Sequence, residues 1–184
     1  MKTKSKVTNS GNVFEFSSQA AFGFSENSAE LDTAPNRLAT RDLGTAFSLI
    51  AQERGGEPQV KFRVVVEGKS QLLYPLAYEY AYKIGREALL NAFRHSQASR
   101  IELHLAYTQK GLCLTIRDNG QGISADSVDT GCNGLSWMKG LAERIGATLK
   151  LLSRVRAGTD VLLSIPGKIA FSAETKAHWQ SAVA

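Results

Sequence analysis

The chain has 184 residues, a hydrophobic fraction of 43% and two cysteines, Cys113 and Cys132, which allows one domain with a sizeable core and gives no paired-cysteine zinc spacing. The formal net charge is +5, but the basic residues are scattered without dense runs or interleaved aromatics, which argues against nucleic acid and suits a polyanionic nucleotide. No apolar run can cross a bilayer and no signal core follows the basic start, so the expectation is a cytoplasmic chain without membrane contact, its cysteines either buried thiols or one disulfide.

Residues 1–36 are rich in Ser, Asn, Ala and Gly without sustained period, and are expected to be disordered or loosely attached. Residues 38–53 are helical in pattern, with Leu38, Leu43, Phe47 and Ile50 near one face. Residues 60–67 alternate as a strand that sets Phe62, Val64 and Val66 against Lys61, Arg63 and Val65. Pro75 suits the first turn of a helix running to about His95, with Ala77, Tyr80, Ala81, Ile84, Ala88 and Ala92 as its apolar stripe. Gly85 in that helix costs about 1 kcal/mol relative to alanine, which a close approach of backbone or ligand would excuse. A hairpin follows: Ile101, Leu103, Leu105 and Tyr107 alternate up to the turn at residues 108–111, and Leu112, Leu114 and Ile116 alternate back. Residues 119–133 are a long aperiodic loop, residues 135–145 a helix stopped by Gly146, and residues 148–155 and 159–165 two further strands. The tail is a short helix or a frayed end. Hairpins with helices on one face make an α+β two-layer sandwich with a mostly antiparallel sheet. The domain covers residues 37–168, followed by a tail at 169–184.

Chemistry concentrates in a few segments. Residues four apart share a helix face, so Glu87 and Asn91 project side by side, with Arg94 and His95 one turn further. Magnesium takes oxygen ligands, usually one or two from protein and the rest from phosphate and water. The Asn91 amide oxygen suits it, and Glu87 can hold a water or accept a proton, although the pair alone also reads as a surface helix facing solvent. Arg94 can neutralise phosphate and His95 can pack on a base, although as isolated residues they read equally as an exposed arginine and a helix cap. Asp118-Asn-Gly-Gln-Gly122 is either a turn or an acceptor for an exocyclic amine beside backbone that approaches closely. Gly131-Cys-Asn-Gly-Leu135 opens a helix, whose free N–H groups bind phosphate. It fits neither the Walker nor the Rossmann arrangement. Gly158-Thr159 alone is a turn before a strand.

Together these segments resemble the ATP-binding catalytic domain of bacterial two-component sensor histidine kinases, a fold shared with gyrase, the heat-shock chaperone ATPase and mismatch-repair ATPases. Residues 86–95 look like that family's N box, residues 118–122 its G1 box, residues 134–142 its G2 region, and Gly158-Thr159 with Val161 and Pro166 its closing strand. The resemblance implies a Bergerat-type fold that binds Mg-ATP. Asn91 would bind magnesium, Glu87 would assist phosphoryl transfer, and Arg94 and His95 would lie at the nucleotide. Asp118 would read adenine. Gly120, Gly122, Gly134 and Leu135 would shape the lid and base pocket, with Thr159 supporting the base. It also implies a histidine-containing dimerisation domain and a response regulator as partners. None of His95, His104 and His178 fits the family's phosphoacceptor segment, so the chain looks like a kinase without its acceptor helices, and a monomer. Cys132, Trp137 and Leu141 stand where the family usually carries glycine, glycine and arginine. The other readings are a nucleotide-binding or degenerate docking module, and a serine kinase of the anti-sigma-factor type.

Overall fold

The computed structural model describes residues 13–14, 42–54, 60–123 and 133–171. In chain order the elements are β1 (Val13–Phe14), α1 (Leu43–Arg54), β2 (Lys61–Glu67), α2 (Pro75–His95), β3 (Arg100–Thr108), β4 (Gly111–Asp118), α3 (Asn133–Arg144), β5 (Thr148–Arg154), β6 (Gly158–Pro166) and α4 (Gly167–Ala170). The sheet runs β1-β5-β6-β4-β3-β2. Among the described residues only β2 and β3 pair in parallel. A parallel pair needs a long crossover, and α2 supplies it. All other neighbours are antiparallel. This is the α+β sandwich that the alternating hairpins predicted.

The inward parity of each strand builds the core. Ile101, Leu103 and Leu105 of β3, Leu112, Leu114 and Ile116 of β4, Leu149 and Leu151 of β5, and Val161, Leu163 and Ile165 of β6 are all buried. Helix α2 lies over them with Ala77, Ala81, Ile84, Ala88 and Ala92 inward. Tyr78 is buried in this face, whereas Tyr80 is only half-buried. The stripe is thus rotated slightly from the sequence reading, because Tyr78 stacks on Tyr82, which stacks on Phe47 of α1. Val66 is 44% exposed despite its inward parity, since β2 is the sheet edge there. Leu38 and residues 172–184 lie outside the described residues, as do all of residues 1–36 but Val13 and Phe14, which pair with Leu152 and Leu151.

Gly85 has the close approach that its position demanded. A methyl group there would collide with the Phe47 ring on one side and come within 2.8 Å of Leu114 Cδ2 on the other. Helix α2 is thereby clamped between α1 and the sheet. Gly85→Ala is expected to destabilise the domain by about 1–3 kcal/mol through overpacking, against a helix-propensity gain of about 1 kcal/mol. A lower midpoint in urea unfolding at unchanged slope is the expected reading.

The opposite sheet face carries charge. Arg63, Glu102, Arg117 and Asp160 fall in one cross-strand row, with Arg63 paired to Glu102 and Arg117 gripping Asp160 through two bonds of 2.8 and 2.7 Å. Such exposed pairs contribute little individually. His104 on the same face lies 3.2 Å from Glu67. Cys113 is a half-buried free thiol on this face rather than a core residue, with its sulfur 3.8 Å from Ser164 Oγ.

Candidate functional site

Three adjacent strands end their inward rows in a polar residue. Asp118 follows Ile116 on β4, Thr159 precedes Val161 on β6, and Ser153 follows Leu151 on β5. The register sets Asp118 opposite Thr159 and Thr159 opposite Ser153. A polar row therefore borders an apolar one made of Ile116, Val161 and Leu151. Asp118 is only 7% exposed and Ser153 2%. Asp118 Oδ1 accepts the Gly120 amide at 2.9 Å. Burial pushes the Asp118 carboxyl above its ordinary range; amide hydrogen bonds from Gly120 and Thr159 pull it back, and the charge on Asp160 raises it further.

The segment after Asp118 is tied to the end of α2. Gln121 N–H donates to the Ser96 carbonyl at 2.8 Å, and Gln121 Nε2 donates to the His95 carbonyl at 2.8 Å. These bonds satisfy carbonyls that a helix terminus would otherwise leave unpaired. Asn119 accepts from the Arg100 amide at 2.8 Å and donates to Ser99 at 3.0 Å. Gly120 packs so closely on the Ser96 carbonyl that a side chain has no room. Gly122 has a φ of +70° and packs on the Arg154 carbonyl, so it meets both demands that favour glycine.

Helix α2 forms the other wall. Glu87, Asn91 and His95 stand in one row at four-residue spacing and all line a cavity of about 400 Å³. Asp118 and Thr159 line the same cavity, with Ile116, Leu151 and Val161 of the sheet, Ala88 and Ala92 of α2, and Gly134, Leu135 and Met138 of α3. The volume falls within the range of small-molecule sites, about 300–1,000 Å³. The space exists because α2 presents alanines there. Asn91 Nδ2 donates to Glu87 Oε1 at 3.4 Å, which turns the amide oxygen away from the carboxylate. Gly134, in the first turn of α3, would place a methyl 2.7 Å from Glu87 Oε1 and 3.5 Å from Asn91 Nδ2. The N-terminal turn of α3 therefore neighbours the polar end of α2.

The expected site residues mostly converge. Glu87, Asn91, His95, Asp118, Gly122, Gly134, Leu135 and Thr159 all line the cavity. Arg94 does not: it is exposed, off the Glu87–Asn91–His95 row. Gly120 seats the loop on α2 and is absent from the lining. Cys132 lies outside the described residues. Trp137 is 36% exposed, and Leu141 is 8% exposed and packed in the core. Ser153 was not singled out from the sequence, although its parity with Leu149 and Leu151 marks a polar residue on an inward face. Among the described residues no group of three or more His, Cys, Asp and Glu could hold a metal ion by itself. A neutral amide oxygen at an otherwise polar end does fit a magnesium ion that draws its remaining ligands from phosphate and water. Among the described residues no helix is long and apolar enough to cross a membrane.

Residues 79–169 match the family described as histidine kinase-, DNA gyrase B-, and HSP90-like ATPase. Residues 79–169 belong to this ATPase family. Its match spans α2 through α4 and hence every cavity-lining element. Sensor histidine kinase LiaS of Bacillus subtilis (strain 168) is 35% identical over 88 residues, which are 48% of this chain and 24% of LiaS. The histidine-protein kinase/phosphatase DegS of the same organism is 26% identical over 137 residues, 70% of this chain and 36% of DegS. The chain thus spans about a quarter to a third of these curated relatives. The histidine kinase domain of the Erythrobacter litoralis EL346 blue-light activated kinase superposes with a TM-score of 0.58 at 23% identity, covering 68% of this chain and 63% of that one. The ATP binding domain of PrrB from Mycobacterium tuberculosis superposes at 0.54 with 21% identity, covering 69% of this chain and 95% of that domain. The ATPase-family domain is therefore of the sensor histidine kinase type in sequence, and its fold is shared with solved kinase domains.

Proposed function

We propose that the domain binds Mg-ATP and donates the γ-phosphate to a histidine on a separate dimerisation domain, from which a response regulator takes it. The observation that carries this reading is that Asn91 and Asp118 open onto a common cavity, with an apolar slot between them. An adenine ring fits between the floor of Ile116, Leu151 and Val161 and the side chains of Ala88, Ala92 and Met138. Ionised Asp118 accepts its exocyclic amine, and Thr159 supports the same edge. The triphosphate then extends toward Asn91 and the start of α3, where helix amides and the amide oxygen of Asn91 meet it. Magnesium, when bound with the nucleotide, neutralises phosphate charge, and Asn91 is the residue that would hold it. Glu87, hydrogen-bonded to Asn91, accepts a proton from the attacking imidazole. Phosphoryl transfer of this kind needs little beyond alignment and charge neutralisation. The relatives are named as histidine kinases of sensing and signal transduction, which supports the acceptor and regulator assignment.

Titration calorimetry with Mg-ATP, followed by incubation with labelled ATP and a separately expressed dimerisation domain, tests the reading. Acid-labile phosphohistidine on that domain is the expected product. Transfer to serine would instead identify an anti-sigma-type kinase, and binding without transfer to any acceptor a docking module. Absence of ATP binding would end the proposal.

A further inference from the structure

We propose that Ser153, which does not line the cavity, is a positioning residue that fixes the direction of the Thr159 hydroxyl and so biases the site toward a base bearing an amino group over one bearing a carbonyl. The inference rests on the adenine-nucleotide reading above and extends it to a residue outside the site.

A serine hydroxyl has one proton to give and two lone pairs to offer. Among the described residues Ser153 Oγ has three polar neighbours. The Ile123 N–H lies 2.8 Å away and can only donate. The Gly158 carbonyl lies 3.2 Å away and can only accept. Thr159 Oγ1 lies 3.0 Å away and can do either. The first neighbour uses one lone pair and the second uses the proton. One lone pair is left, so the Thr159 hydroxyl must donate to Ser153 for all three contacts to be satisfied. At 2% exposure no bulk water replaces a lost partner, and an unsatisfied buried group is expensive. Thr159 then turns only lone pairs toward the cavity. Beside it, ionised Asp118 also only accepts. Where the ends of β4 and β6 meet, both side chains therefore favour a donor such as an exocyclic amine and oppose a carbonyl oxygen. Removing the Ser153 hydroxyl frees the Thr159 proton to rotate inward, where it can donate to a carbonyl.

The test is the ratio of affinities of the full-length chain for Mg-ATP and Mg-ITP, which differ by an amino group against a carbonyl at one ring position. Wild type is expected to prefer ATP. Ser153→Ala is expected to reduce that preference about 5- to 10-fold, the scale of one hydrogen bond. Thr159→Val, which removes the hydroxyl and keeps the shape, is expected to reduce it similarly. In the Thr159→Val background, Ser153→Ala should change the ratio no further, a coupling that a purely structural serine would not produce. Equal loss of affinity for both nucleotides in Ser153→Ala would overturn the assignment while leaving the ATP reading intact. If Ser153→Ala does not fold, a wild-type ratio in Thr159→Val overturns it equally. Wild-type protein that binds neither nucleotide would overturn both readings.

Discussion

Asn91→Ala is expected to lower the affinity for Mg-ATP about 100-fold while leaving the unfolding midpoint within about 0.5 kcal/mol of wild type. Mutating even an outer-shell partner of a metal site typically costs about 10–100-fold in metal affinity, and on the proposed reading Asn91 would be a direct, neutral oxygen ligand. Its stability contribution is small, because the side chain is half-buried and its one hydrogen bond among the described residues, to Glu87, is long at 3.4 Å. The informative control is chelation. With EDTA present, wild type and variant should bind ATP alike, since the difference between them runs through the ion. Calorimetry with and without magnesium measures both. Equal affinity of the two proteins for Mg-ATP would remove residue 91 from any metal role.

Asp118→Asn is expected to weaken ATP binding by about 10–100-fold, the range for a hydrogen bond to a charged group, without lowering the melting temperature at neutral pH. Burial raises the folded pKa of Asp118, so the folded state holds its proton more tightly than the unfolded state. By linkage, stability from this group is greatest at low pH and declines as pH rises from the ordinary carboxylate value through the raised one. At neutral pH the buried charge is a net burden on the fold, which the asparagine relieves. Binding runs the other way: the ionised carboxylate is the stronger acceptor for the amine, so wild-type affinity should fall on acidification at a higher pH than an ordinary aspartate would show. The variant should lack that component, and subtracting its profile removes the titration of ATP itself. Identical pH profiles for the two proteins would show that Asp118 does not read the base.

The parts of this domain that follow from local period were legible. Helix α2 begins at Pro75 and ends at His95 as read, because a proline start and an alanine-rich stripe leave little choice. The β3–β4 hairpin extends the reading by a residue or two at each end, where pairing outlasts alternation. The convergence of Asn91 with Asp118 was legible only through the ordering of several weak motifs, since neither residue is distinctive alone. What stayed hidden depended on tertiary direction. Arg94 shares a segment with Asn91 and His95, but helical rotation takes it out of their row. The glycine at 120 suggested an approach to ligand, whereas its neighbour is the Ser96 carbonyl. Ser153 looked like any strand serine until the partners Ile123, Gly158 and Thr159, from two other chain segments, were brought to it.

The bonds from Gln121 and Asn119 to the end of α2 and the start of β3 have a thermodynamic corollary. The Asp118 end is already immobilised by protein–protein hydrogen bonds before anything arrives, so a purine settling there freezes almost no chain. Little conformational entropy is then lost at that end on capture. Modifications to the ring should accordingly register as enthalpy.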